Sequence, residues 1–218
     1  MAELLPIIHE GAGYVIVNKP AGITTEAFRD HDTVEARAWT MFQRPRSPKK
    51  PFVGIVHRLD RPVSGLLILA RNKSTLRYLN QQFAEQQVSK KYRARTQVPL
   101  PSGRGSLSDY LTRDSTGRRA TLGDSSDKKA RLSTLNYQLL SQPEGHYDYE
   151  IEPITGRYHQ IRFQLANAGS PIIGDELYGS PLPYQPNQIM LHASELRFRD
   201  TEKIEVVLQL PPNWSTTP

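Results

Sequence analysis

Apolar positions along the chain fall mostly into short runs broken by polar turns, the spacing of strands, with helical periodicity in a few segments. Leu4 to Ile8 and Tyr14 to Val17 read as strands around the turn Glu10-Gly-Ala-Gly13, and Lys19-Pro-Ala-Gly22 closes the second. Asp32 and Glu35 have capping-box spacing and Val34, Ala38, Met41 and Phe42 share a face, which predicts a helix from Asp32. Gly54 to Val56 and Leu66 to Ala70 are apolar runs of strand length. Asn72 or Ser74 can cap a helix running to about Gln87, with Leu76, Leu79 and Phe83 turned inward. Lys90 to Val98 alternates, sending Tyr92, Ala94 and Thr96 to one face and Lys91, Arg93 and Arg95 to the other. Residues 101 to 131, rich in Gly, Ser and Asp, read as short hairpins and loops. Strand-like alternation resumes over Leu132 to Leu140 and His146 to Pro153. Thr155-Gly156 then opens a predicted helix with Tyr158, Ile161, Leu165 and Ala168 at helical spacing and Gly169 as its cap. Ile189 to Phe198 and Ile204 to Leu210 complete the strands.

Composition narrows the possibilities. A chain of 218 residues fits one substantial core or two small lobes, and one catalytic domain over residues 1–218 is expected. Lys and Arg total 28 against 22 acidic residues, a formal charge of +6, which favours an anionic partner over a neutral one. Cysteine is absent, excluding disulfides, thiolate metal sites and any cysteine nucleophile. The first ten residues carry an early acid and a proline but no basic leader, and no apolar run approaches a membrane span, so a soluble cytoplasmic protein is expected.

The ionisable residues worth weighing lie mainly between the two central apolar runs: His57, Arg58, Asp60 and Arg61, with Ser64 and Gly65 after them. A loop held between core strands is a rigid mount for a catalytic side chain, and Asp60 is its only carboxylate. Asp before Arg-Pro is also ordinary turn chemistry, and spacing alone leaves the two readings level. Gly11-Ala-Gly13 precedes its strand, the wrong order for a dinucleotide fingerprint, and Ser64 lacks a Gly-x-Ser-x-Gly elbow. His57, His159 and His192 stand in unlike contexts without an H-x-x-x-H spacing, so they read as structural and no metal is expected.

The string His57-Arg-Leu-Asp-Arg-Pro-Val-Ser-Gly-Leu-Leu-Ile-Leu-Ala70 resembles the signature of the RluA family of RNA pseudouridine synthases. Further segments agree in order: Val17-Asn-Lys-Pro-Ala-Gly22, Ser89-Lys-Lys-Tyr-Arg-Ala94, Thr155-Gly-Arg-Tyr-His-Gln-Ile-Arg162, Gly174-Asp-Glu-Leu-Tyr-Gly179 and Leu191-His-Ala193. Val63 stands where Thr is usual, and Arg199-Asp200 replaces a common His-Pro pair. The resemblance implies an α+β fold with a mixed, mostly antiparallel sheet, flanking helices and a central active-site cleft. It implies an isomerase acting on uridines of structured tRNA or rRNA, with Asp60 as nucleophile or base. Tyr92 would stack on the target uracil and help remove the C5 proton, and Arg162 would pair with Asp60. Arg58 would fill the gap left by an extruded base. No cofactor is implied, and a monomer is expected.

Substrate-binding candidates are His57, Arg58 and Arg61 around Asp60, Arg157 before Arg162, and Arg118 and Arg119 in the basic stretch. A desolvated Asp rises by ~3 to 5 pKa units, and an adjacent arginine lowers it by ~1 to 3, so a fixed cation is required if Asp60 is to stay ionised. Attack at ribose C1′, attack at uracil C6 and proton abstraction from C2′ all remain open. The competing reading is a catalytically silent basic protein that binds or remodels RNA. A base-releasing glycosidase is a third.

Overall fold

The computed structural model describes residues 3–27, 29 and 31–214, which divide into two compact units. The first comprises residues up to Lys90 together with Ala193–Pro212, and the second takes Lys91–His192 and the final residues.

In the first unit, β1 (Ile7–Gly11) pairs antiparallel with β2 (Tyr14–Lys19), which pairs antiparallel with β4 (Ser64–Ala70). The short β3 (Gly54–Ile55) pairs with the end of β4, and β10 (Leu191–Arg199) lies beside β4 and pairs with β11 (Glu205–Gln209). β2 and β4 are buried on both faces, which explains why their sequences are continuous apolar runs rather than alternating ones. Helix α2 (Lys73–Ala84) packs on β4, with Leu79 sealed among Ile16, Leu66, Ile68 and Phe198. Full burial of such a side chain contributes ~1.5 to 3 kcal/mol. Asn72 caps α2 by accepting the Thr75 N–H at 2.8 Å, one of the two caps the sequence offers. Helix α1 (Val34–Phe42) begins one residue later than its capping-box spacing suggests. Thr33 accepts the Ala36 N–H, while Asp32 forks onto Arg37 and Glu35 accepts from Ala27.

The second unit is a sheet in the order β5 (Ser89–Thr96), β9 (Tyr147–Pro153), β8 (Arg131–Ser141), β6 (Arg104–Arg113), β7 (Ala120–Leu122), with antiparallel pairing throughout. β5 sends alternate side chains to two faces, but burial does not follow the alternation, since Arg95 is buried beside Ala94 and Thr96. Ala94 and Thr96 are buried, while Lys91 and Arg93 meet Glu150 and Arg95 forks onto Asp148 at 2.6 and 2.9 Å. Residues 101 to 131, expected as short hairpins and loops, do hold a hairpin of β6 and β7, but β6 is longer than that reading suggests. It is a ten-residue strand whose exposed face carries Arg104, Ser106, Ser108 and Tyr110, paired along β8 from Arg104 to Leu111. Burial on one face alone keeps such a strand polar in composition.

Helix α3 (Gln160–Asn167) starts five residues after Thr155, and the intervening chain is a loop pinned to the sheet. The Thr155 hydroxyl accepts the Thr134 N–H and donates to Gln160, whose amide reaches the Thr134 carbonyl. At the other end, Gly169 takes φ +83, and the Gly169 and Ser170 N–H groups return to Ala166 and Leu165, the Schellman closure that the glycine predicts.

Candidate functional site

Asp60 sits in the link between β3 and β4, and that link is tied down on both sides. Ahead of it, the Thr25 hydroxyl donates to the Leu59 carbonyl at 3.0 Å and accepts the Leu59 N–H at 3.2 Å. Behind it, the Gly22 N–H donates to the Arg61 carbonyl at 2.8 Å and the Arg61 Nε returns to the Gly22 carbonyl at 2.9 Å. Gly22 adopts φ +89, a conformation that suits glycine. Leu59 and Val63 are buried anchors on either side, and the Val63 N–H closes a turn onto the Asp60 carbonyl. Val63 thus contributes a buried apolar side chain and its backbone.

Beneath this loop lies a fully buried cation. The Lys19 ammonium reaches the carbonyls of Val63 at 2.7 Å, Pro20 at 2.9 Å and Arg61 at 3.3 Å. Three carbonyl acceptors call for three N–H donors, which the ammonium has and a neutral amine lacks. Burial pushes the Lys19 pKa down to about 7, and the Asp60 carboxylate pulls it back up. Asp60 therefore has in its own unit a lysine whose proton affinity it raises and whose side chain is held in place by backbone carbonyls.

The other residues of this loop take different parts. His57 accepts the Ile68 N–H on Nε2 at 3.1 Å and stacks on Phe83 at 5.0 Å, and burial, then the Lys90 ammonium, lowers its pKa to about 3. These are contacts within the fold. Arg58 is exposed and pairs with Glu26 at 3.0 Å.

In the second unit, Tyr92 is half-buried on β5, opposite Ile151. Arg162 is buried on the first turn of α3 and forks onto the buried Asp175, Nε to Oδ2 at 2.7 Å and Nη2 to Oδ1 at 2.8 Å. His159 lies 3.2 Å from the Arg162 Nη1 through Nε2 and 2.9 Å from the Tyr178 hydroxyl through Nδ1. Arg118 and Arg119 project from a turn closed by Asp114, whose carboxylate accepts both their N–H groups. Nearby, the Arg113 guanidinium lies 4.1 Å over the Tyr158 ring, which stacks on His159 at 3.9 Å and donates its hydroxyl to the Arg118 carbonyl. Arg157 is exposed, with its N–H on Gln160. Among the described residues no group of three or more His, Asp and Glu side chains is arranged to hold a metal ion.

Residues 13–167 match the family model described as RNA pseudouridylate synthase. The chain is 33% identical to tRNA pseudouridine synthase C of Yersinia pestis over 97% of its own length and 87% of that protein's. The chain belongs to the RNA pseudouridylate synthase family. It is also 35% identical to ribosomal large subunit pseudouridine synthase D of Borreliella burgdorferi, over 80% of this chain and 55% of that one. Against several curated relatives it thus spans only about half to two-thirds of their length. Human RNA pseudouridylate synthase domain containing 1 superposes with a TM-score of 0.78 at 26% identity, covering 95% of this chain and 83% of that one. The α+β, mostly antiparallel fold expected from the motifs is the pseudouridylate synthase fold.

Two residues of this family member escaped the sequence reading. Lys19 was legible only as part of a turn, because a lysine in sequence gives no sign of being buried. Asp175 lies in the Gly174-Asp-Glu-Leu-Tyr-Gly179 motif, but its pairing with Arg162, thirteen positions upstream, is a product of the fold.

Proposed function

We propose that this protein isomerises uridine to pseudouridine in structured tRNA or rRNA, with Asp60, Tyr92 and Arg162 as its catalytic residues. The observation that carries the reading is the Asp60 loop of a pseudouridylate synthase family member, latched by Thr25 and Gly22 and underlain by the buried Lys19 ammonium. Such preorganisation fixes a carboxylate while its counter-charge stays in place as water leaves.

In the reaction the C1′–N1 bond breaks, uracil turns, a C1′–C5 bond forms, the C5 proton leaves and N1 gains a proton, with no net change in atoms. Asp60 acts at the sugar or the ring, Tyr92 stacks on the uracil, and Arg162 supplies the fixed guanidinium. Extruding a base costs a few kcal/mol, least in loops, which favours structured loops of tRNA or rRNA as substrates. Arg113, Arg118, Arg119 and Arg157 offer cations to the RNA backbone, two of them held by the Asp114 turn. Arg58 and Arg61 flank the target. The chain works as one catalytic module in the cytoplasm, as a monomer.

The test is incubation of wild type and Asp60→Asn with cellular RNA. Wild type creates carbodiimide-dependent primer-extension stops at specific uridines with no change in RNA mass, and Asp60→Asn creates none. Free uracil with an abasic site would identify a glycosidase instead, and RNA binding with no stops would identify a silent binding protein.

A further inference from the structure

We propose that Asp175, together with the His159–Tyr178 pair, is a positioning residue that fixes the plane of the Arg162 guanidinium, so that Arg162 acts through directed N–H groups rather than as a mobile positive charge. The inference rests on the reading in which Arg162 takes part in uridine isomerisation. Arg162 and Asp175 are 5% and 1% exposed, so their fork has little water competing for it. Two parallel N–H to oxygen bonds, at 2.7 and 2.8 Å, set the guanidinium plane as one bond would not.

His159 fixes the remaining edge. Arginine only donates, so Nε2 of His159 accepts from Nη1 and the imidazole proton sits on Nδ1. Nδ1–H then donates to the Tyr178 hydroxyl, which also accepts the Ala120 N–H at 2.8 Å, so the chain of contacts ends on the backbone of β7. Both rings are themselves confined. Tyr158 stacks on His159, Phe163 meets the Tyr178 ring edge-on, and the Tyr178 ring lies 5.1 Å from the Arg162 guanidinium. His159 adopts φ 50 and ψ 24, a left-handed conformation unusual for a side-chain-bearing residue, and its side chain does not cap α3. Such strain persists only where the surroundings over-determine it. The side chain is instead committed to Arg162 and Tyr178.

Charge makes the proposal testable, because Asp175 cancels the formal charge of Arg162. Were Arg162 needed only as a positive charge, neutralising Asp175 would strengthen its effect. If direction is what matters, the same change weakens it. The experiment measures single-turnover rate and RNA affinity for Asp175→Asn, Asp175→Glu and Tyr178→Phe, with nitrogen-15 spectra of the Arg162 Nε–H and the His159 ring.

Asp175→Asn is expected to lower the rate at least thirtyfold while RNA affinity changes less than threefold, and to abolish the slowly exchanging Arg162 Nε–H signal. Asp175→Glu should restore part of the rate. Tyr178→Phe, which keeps the ring in place should Asp175→Asn fail to fold, should lower the rate about fivefold and shift the His159 Nδ1 resonance. A wild-type or higher rate in Asp175→Asn, or an unchanged rate and His159 spectrum in Tyr178→Phe, would overturn the inference. Arg162→Ala separates the two levels. Full activity there removes Arg162 from the reaction altogether, whereas an inactive Arg162→Ala beside a fully active Asp175→Asn removes only the positioning role.

Discussion

Lys19 shows how one buried charge can organise a loop. Its side chain is wholly enclosed; burial disfavours its charge, while three backbone carbonyls and the nearby Asp60 carboxylate favour it. That leaves a thermodynamic trace. The folded pKa is about 7 against an ordinary 10.5, so between those values the unfolded chain binds a proton that the folded chain does not. Stability therefore rises with pH across that window, and the full penalty of the buried charge is felt below pH 7. Urea melts between pH 6.5 and 9.5 should show a steeper rise for wild type than for Lys19→Met, even if the variant is less stable throughout because three carbonyls lose their donor. Equal slopes would show that Lys19 does not titrate in this range. The variant should also lose about tenfold or more in turnover, within the ~10²-fold cost that a small misplacement of a reacting group can carry.

At the scale of elements, the strands and helices that sequence made legible are those whose burial is regular. The continuous runs of β2 and β4 and the glycine ending α3 each have one simple physical cause legible from the residues alone. The sequence understates the length of β6 because only Leu111 is buried along it, while its inner face mixes Gly105 and Asp109 with Leu107 and leaves no clear apolar period. The sequence places the start of α3 too early because Tyr158 falls at helical spacing, whereas Thr155 and Gln160 bond the preceding loop to β8. Asp200 accepts the Glu202 and Ile204 N–H groups at 2.9 Å, so the departure from His-Pro supplies a turn between β10 and β11.

Of the candidate site, Asp60 could be singled out because loop, strands and motif coincide within a few residues. The partners of Arg162 could not, since Asp175 and Tyr178 meet it only after folding. Gly65, at the start of β4, gives this scale its prediction. It adopts φ +119, and an added Cβ would lie 2.3 Å from the Ala193 carbonyl oxygen. Gly65→Ala should lose at least ~1 to 3 kcal/mol of stability from backbone strain alone, measurable by urea unfolding. A stability within 0.5 kcal/mol of wild type, the usual scatter of harmless surface changes, would contradict this approach of β4 to β10.

For the molecule as a whole, the positive balance of +6 belongs to a protein whose family acts on RNA. Among the described residues no helix is long and apolar enough to cross a membrane. The Asp114 turn holds Arg118 and Arg119 exposed in a fixed geometry, so replacing both with Ala should weaken RNA binding with little effect on the melting temperature. Each lost phosphate contact flattens the dependence of log affinity on log salt by about 0.9 on a duplex and ~0.7 on a single strand. An unchanged slope would move the RNA to another surface. The central claim is that the Asp60 carboxylate, held on its latched loop above the Lys19 ammonium, drives the isomerisation. The most direct measurement is single-turnover release of tritium from C5 of labelled uridine in a substrate RNA, because C5 loses that hydrogen only when it bonds to the sugar. Asp60→Asn should release it about 10³-fold more slowly, within the ~10²–10⁴ attributed to one group that transfers protons, with RNA affinity unchanged. Release at the wild-type rate would contradict the account.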